Sequence, residues 1–125
     1  MDTTPFWGYH LSLDCGGCDY DKITSYDNVY NFVKQLVKDI DMVPYGEPTI
    51  PNFGHGNKAG FSLNQWIMTS NITGHFVNEN NEIYLDVFSC KPFTKETVVN
   101  LVRQYFNNQT IVERYFERQA PLPKI

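Results

Sequence analysis

A chain of 125 residues has room for one domain but not for two separate cores. Hydrophobic residues make up 42% of the chain and aromatic residues 15%, a globular composition with many large side chains for a core or an interface. The net charge of −4 and the scattered Lys and Arg residues exclude the concentrated basic face of a nucleic-acid-binding protein. No segment approaches the roughly 20 apolar residues that span a membrane. The N-terminal residues lack the features of a secretory signal, so we expect a cytoplasmic protein.

The first half of the chain predicts a strand, a helix and a long loop. Residues 9–14 alternate apolar and polar side chains, which is typical of a strand with one wet face. A Gly-Gly pair then turns the chain, and apolar residues recur at helical spacing from Ser25, a suitable N-cap, through Asp41. Three prolines break this pattern and introduce a loop over residues 45–60. We expect so long a loop to be functional.

The second half predicts three strands, a helix and a last strand. The strands cover residues 61–68, 72–77 and 83–89, with a polar turn between the second and the third. Apolar residues at helical spacing follow Thr94 through residue 106, and residues 110–118 again have strand character.

This order of elements predicts a single α+β domain over residues 1–125. The fold is a two-layer sandwich in which a mostly antiparallel sheet carries two main helices on one face. The other face of the sheet then needs a cover, and we expect no third helix in the chain. A second copy is the economical cover, so we predict a homodimer formed through the open side of the sheet.

Three cysteines are present, and Cys15 and Cys18 form a C-x-x-C motif. A redox pair would need a following helix N-terminus to lower the thiolate pKa, and a zinc site would need a second pair of ligands. The chain offers no second C-x-x-C and no H-x-x-x-H, so we expect no metal. We favour a structural interpretation, a strand end that runs into a glycine turn.

Four features between residues 60 and 90 could carry chemistry: Ser62, the Thr69-Ser70 pair, His75 and Cys90. A hydroxyl or thiol with a base in reach is what nucleophilic catalysis needs, and His is the usual proton carrier near neutral pH. Each residue also has an ordinary structural interpretation. Since no G-x-S-x-G elbow is present, a serine hydrolase is disfavoured, and the residues alone indicate only a possible active site.

These residues resemble the short prokaryotic S-adenosylmethionine decarboxylases. The resemblance begins at Gly8-Tyr9-His10-Leu11 and Cys18-Asp19, and it is strongest from Gly60-Phe61-Ser62 to Asp86-Val87-Phe88-Ser89-Cys90. Ser62, Ser70, His75 and Cys90 stand at the family's intervals without a gap. The chain differs from the usual family pattern beside the reactive serine, where it has Thr69 and Asn71.

The resemblance implies that the chain cuts itself. The Ser70 hydroxyl would attack the Thr69 carbonyl, and cleavage at 69/70 would leave a pyruvoyl group on residue 70, the one cofactor implied. That group would form a Schiff base with the substrate amine and accept the electrons released with CO₂. His75 would transfer protons during processing with Ser62 as its helper, and Cys90 would protonate the product.

The implied substrate is S-adenosylmethionine, decarboxylated for spermidine synthesis. Glu79 would bind its ribose, Asp14 a cationic group, and Phe53 and Phe76 are substitutes for the aromatic residues that clamp adenine in the family. The family's own clamp positions are not aromatic here, which leaves a basic amino acid, arginine or ornithine, open as the substrate. An unprocessed homologue that acts as a binding or regulatory subunit is the third interpretation.

Overall fold

The computed structural model describes residues 6–123. Three α-helices, a 3₁₀ turn and six strands make up this part of the chain. The strands are β1 (Gly8–Gly16), β2 (Asn52–Phe53), β3 (Gly60–Ile67), β4 (Ser70–Val77), β5 (Glu82–Ser89) and β6 (Thr110–Arg118). The helices are α1 (Tyr20–Ile23), α2 (Tyr26–Asp39) and α3 (Lys95–Phe106), and the 3₁₀ turn covers Gly56–Lys58.

The strands form one sheet in the order β2-β3-β4-β5-β1-β6, and every neighbouring pair is antiparallel. Strands β3, β4 and β5 follow one another as hairpins. Strand β1 lies between β5 and β6, so the first strand in the sequence pairs on both edges with strands from the second half of the chain. This arrangement places β1, β4 and β5 in the middle of the sheet and the short β2 at an edge.

The start of α2 and the end of α3 are each set by a local hydrogen bond. The Ser25 side chain accepts a hydrogen bond from the Asn28 amide at 3.1 Å and so caps α2. At the end of α3, Asn107 adopts a left-handed conformation with φ of 51°, and its N–H bonds the Arg103 carbonyl. The apolar stripes of the two helices pack together on one face of the sheet and form one core with it.

Alternation along each strand gives the sheet two different faces. Odd-numbered residues of β1, β3 and β5 and even-numbered residues of β4 from Ile72 face the helices and are buried. The residues between them form a second surface that no described element covers, and we call it the open face. It carries mostly polar side chains, among them Ser12, Asp14, Ser62, Asn64, Asn71, Thr73, His75, Tyr84 and Asp86.

The predicted α+β sandwich is confirmed, but several local features were not predicted, among them β2 and the 3₁₀ turn inside the predicted loop. Helix α1 is a single turn, too short to show a periodicity. The segment before β2 runs along β3 as a broken edge, with bridges from Pro44 to Ile67 and from Thr49 to Asn64, because proline cannot donate a ladder hydrogen bond. Strand β4 begins at Ser70 instead of residue 72, because the turn before it has only two residues. The homodimer stays a prediction.

Candidate active site

The Thr69–Ser70 peptide bond lies at the exit of a tight hairpin turn. Ile67 pairs with Ser70, so Met68 and Thr69 alone connect β3 to β4. The Thr69 carbonyl oxygen accepts a hydrogen bond from the Cys90 N–H at 3.0 Å, and Ser70 stands opposite Ser89 in the β4–β5 ladder. The fold therefore brings Thr69, Ser70 and Cys90 together at one end of the sheet.

Two buried groups that the sequence did not single out support this turn. The Ser89 hydroxyl lies 2.8 Å from the Thr69 hydroxyl, and the sulfur of Met42 lies 3.3 Å from Thr69 Oγ1. Ser89 is fully buried. The Ser70 hydroxyl, by contrast, has no hydrogen bond to any residue that the structure describes. The hydroxyls of Thr69 and Ser70 therefore differ, because only that of Thr69 is held by neighbouring side chains.

Ser62 and His75 are direct cross-strand partners on the open face. Their side chains meet with 3.2 Å between Ser62 Oγ and His75 Nδ1. The serine is half-buried and the imidazole is exposed. In the tautomer that carries its proton on Nδ1, His75 donates to Ser62 and keeps Nε2 as an unprotonated base on this surface.

The Ser62–His75 pair does not reach the Thr69–Ser70 bond of its own chain. His75 is five residues along β4 from Ser70, which corresponds to about 16 Å of extended chain. The odd spacing also puts the two side chains on opposite faces of the strand. The predicted processing residues are therefore divided between two ends of the sheet.

The predicted binding residues lie mainly at the His75 end. Asp14 stands in the same cross-sheet row as His75, and its carboxylate is bonded by the Arg114 guanidinium at 2.8 Å. Glu79 is exposed in the turn between β4 and β5. Phe53, on edge strand β2, is 61% exposed.

Phe76 is not a surface residue. Its ring is buried between sheet and helices, with its centre 5.3 Å from that of Phe106 in α3. A ring packed on this side of the sheet has no face left for a ligand, so Phe76 belongs to the core and Phe53 is left as the exposed aromatic of the predicted pair.

An aromatic cavity at the Ser70 end was missed by the sequence interpretation. It has a volume of about 650 Å³ and is lined by Trp7, Phe88 and residues 117–120. The Trp7 ring is 59% exposed and lies 5.8 Å from the Phe88 ring, over which the Arg118 guanidinium packs at 4.6 Å. Three separate strand ends build this wall, which is why no local sequence pattern indicated it.

The C-x-x-C cysteines take no part in this surface. Cys15 and Cys18 are both buried, and burial raises the pKa of each thiol to about 12. Gly17 between them adopts φ of 63°, as the predicted glycine turn requires. Among the described residues, no group of three or more His, Cys, Asp or Glu side chains is arranged to hold a metal ion. No helix in the same part of the chain is long and apolar enough to cross a membrane.

Comparison with known proteins agrees with the residue pattern. The profile of the S-adenosylmethionine decarboxylase family matches residues 9–119. The S-adenosylmethionine decarboxylase proenzymes of Clostridium botulinum strains Langeland and Hall are each 29% identical over 98 residues, which cover 78% of this chain and 81% of theirs. The crystal structure of the adenosylmethionine decarboxylase from Aquifex aeolicus VF5 superposes with a TM-score of 0.80 over 98% of both chains, at 20% identity.

Proposed function

Because this chain belongs to the S-adenosylmethionine decarboxylase family, we propose that it cuts itself between Thr69 and Ser70 and then decarboxylates S-adenosylmethionine. The product of that reaction would supply aminopropyl groups for spermidine synthesis. One observation carries the proposal. The Thr69 carbonyl oxygen accepts a hydrogen bond from the Cys90 N–H at 3.0 Å, beside a Ser70 hydroxyl that has no hydrogen bond to any described residue.

Self-cleavage needs two steps at this bond. In the first, Ser70 Oγ bonds to the Thr69 carbonyl carbon, the C–N bond breaks, and the hydroxyl proton passes to the freed amine, which leaves an ester. The Cys90 N–H, which binds this carbonyl oxygen, would stabilise the charge that develops on it. In the second, a base takes the Cα proton of residue 70 and the Thr69 carboxylate leaves. Water then releases ammonia from the resulting dehydroalanine and completes the pyruvoyl group.

Side chains of the protein would bind the substrate and transfer protons next to the pyruvoyl group. A pyruvoyl group would supply an electron sink for the electron pair that stays on the substrate Cα when CO₂ leaves, the role that other cofactors have elsewhere. Cys90 is half-buried at the same sheet end as residue 70, which suits its proposed role as the donor that protonates the product carbon. His75, with Ser62 against its Nδ1, suits the base of the elimination step.

Because the Ser62–His75 pair lies far from the Thr69–Ser70 bond of its own chain, we propose that the site is shared between subunits. A two-fold axis through the middle of the open face would exchange the two ends of the sheet. The Ser62–His75 pair of a second copy would then face the Thr69–Ser70 bond of the first, and Glu79 and Phe53 would come with it. The polar open face is suited to such a wet contact.

The aromatic cavity favours S-adenosylmethionine over a basic amino acid. Its volume is within the range of roughly 300–1,000 Å³ that is usual for small-molecule sites. The exposed face of Trp7 can stack an adenine ring, and aromatic faces attract a sulfonium cation. The acidic residues Asp14 and Glu79, with the missing aromatic clamp, motivated arginine or ornithine as the substrate, and Asp14 is already paired with Arg114.

The decisive measurement is the intact mass of the purified protein beside that of Ser70→Ala. Wild type is expected as two fragments that meet at 69/70, with a pyruvoyl group on the second, and Ser70→Ala as one full-length chain. An uncut wild type would overturn the enzymatic proposal and favour the binding or regulatory subunit. The cut protein is then given carboxyl-labelled S-adenosylmethionine, arginine and ornithine. Labelled CO₂ is expected from the first alone, and release from either amino acid would change the substrate.

A further inference from the structure

The last residue of β5, Ser89, and the next residue, Cys90, hold the turn of the scissile bond from two sides. The Cys90 N–H binds the Thr69 carbonyl oxygen, and the Ser89 hydroxyl meets the Thr69 hydroxyl at 2.8 Å. Thr69 is thus fixed at its backbone and at its side chain by consecutive residues. Rotation about its backbone would break both contacts.

The Ser89 hydroxyl is itself fixed. It is fully buried, accepts a hydrogen bond from the Lys91 N–H at 3.0 Å, and lies 3.6 Å from the Met42 sulfur. One direction of hydrogen-bond donation satisfies every group in this cluster. Lys91 N–H donates to Ser89 Oγ, Ser89 donates to Thr69 Oγ1, and Thr69 donates to the Met42 sulfur, which is the nearer of the two sulfur contacts at 3.3 Å.

The same segment anchors the loop that carries Met42. The Lys91 ammonium binds the Asp41 carbonyl oxygen at 2.6 Å and the Asp41 carboxylate at 3.0 Å. On the other side of the turn, the Met68 N–H binds the Val43 carbonyl oxygen at 2.8 Å. The turn is therefore supported on both flanks by elements that lie far from it in sequence.

We infer that Ser89 is a positioning residue for self-cleavage, whose buried hydroxyl holds Thr69 so that the scissile carbonyl stays on the Cys90 N–H. This inference rests on the proposed self-cleavage. Attack by Ser70 requires one face of that carbonyl in a fixed orientation, and orientation is a large part of the rate of an intramolecular reaction. The cluster also gives the Thr69 side chain, the chain's departure from the family pattern, a defined role.

The test follows self-cleavage of the full chain after translation in vitro, as the first-order conversion of full-length protein to two fragments. Ser89→Ala and Thr69→Val, which each remove one hydroxyl of the contact, are expected to slow it by at least about tenfold. Thr69→Ser keeps the hydroxyl and should cleave faster than Thr69→Val. Thr97→Val makes the matched change in α3 and should have no effect.

The double variant separates positioning from general damage. Since Ser89 and Thr69 act through one contact, the double variant should be no slower than the slower single variant, whereas independent effects would multiply. Thermal unfolding of each variant is compared in a Ser70→Ala background, where no chain is cut. Wild-type cleavage rates in a folded Ser89→Ala, or multiplying effects in the double variant, would overturn the inference. An uncut wild type would instead overturn the proposed function.

Discussion

Burial divides the thiols of this chain into two kinds. Cys15 and Cys18 are packed into the core, and desolvation of the thiolate, with smaller contributions from neighbouring acidic groups, raises their pKa values to about 12. Cys90 is half-buried at the end of β5. The two sites therefore differ in access, and the raised pKa values leave little reactive thiolate at Cys15 and Cys18.

We predict that iodoacetamide at pH 8 alkylates Cys90 in the folded Ser70→Ala chain and leaves Cys15 and Cys18 unmodified. A raised pKa favours the protonated thiol, so at pH 8 a thiol with a pKa of about 12 is ionised in about one molecule in 10⁴. Mass spectrometry should find one adduct on the native protein and three in guanidinium. Rapid modification of Cys15 or Cys18 in the native state would contradict the burial that the structure assigns to them.

At the scale of elements, the start of β3 depends on one glycine. Gly60 has φ of 148°, and a Cβ at this position would overlap the carbonyl oxygen of Phe76 on the neighbouring strand. Gly46, in the loop after α2, also has a positive φ of 76°, but a Cβ there would meet no atom within 4 Å. The two positions separate the cost of an unusual backbone conformation from the cost of a collision.

We therefore expect Gly60→Ala to lower the free energy of unfolding by more than about 3 kcal/mol, because both costs apply. Gly46→Ala carries the conformational cost alone, about 1–2 kcal/mol. Urea denaturation of both variants in the uncut Ser70→Ala background measures the difference. Equal losses of stability would mean that the Phe76 carbonyl moves away without cost.

Much of the fold could be predicted, because its main elements have clear periodicities. The stripes of α2 and α3 and the alternation of β1 and β5 were visible in the sequence, and the structure confirms them. The broken edge before β2 could not be predicted, since its prolines lack strand character. The segment becomes part of the sheet only through its contact with β3.

The candidate site was predictable only in part. Ser62 and His75 are equally far from the turn, so a two-residue hairpin pairs them, but the sequence did not reveal how short that turn is. The Ser89–Met42 cluster and the Trp7–Phe88 cavity join segments more than 40 residues apart. Such contacts depend on the strand order, which local periodicity does not contain.

At the scale of the whole molecule, the open face separates the two groups of candidate residues by about 16 Å of strand. In a single chain, His75 would be too far from the Thr69–Ser70 bond to act as its base. A second copy turned by a two-fold axis would supply it, and each dimer would then hold two equivalent sites.

Mixed subunits test this sharing. His75→Ala alone is expected to remain uncut, because its base is missing from every site. Coexpressed with a differently tagged Ser70→Ala chain, the His75→Ala chain should be cut, since the partner provides His75. A partner that carries both substitutions is the matched control and should give no rescue. A His75→Ala chain that stays uncut in the mixture would contradict shared sites.

The position of β1 between β5 and β6 has a consequence for the life of a cut molecule. Fragment 1–69 would contribute β1, β2 and β3, and fragment 70–125 would contribute the strands on both sides of β1. The two fragments would be interleaved, so neither could leave without opening the sheet. The protein would fold as a single chain only before the cut, because afterwards it consists of two fragments. Any later unfolding would release two chains that must find each other again, and the unfolding rate would set the working lifetime of the protein.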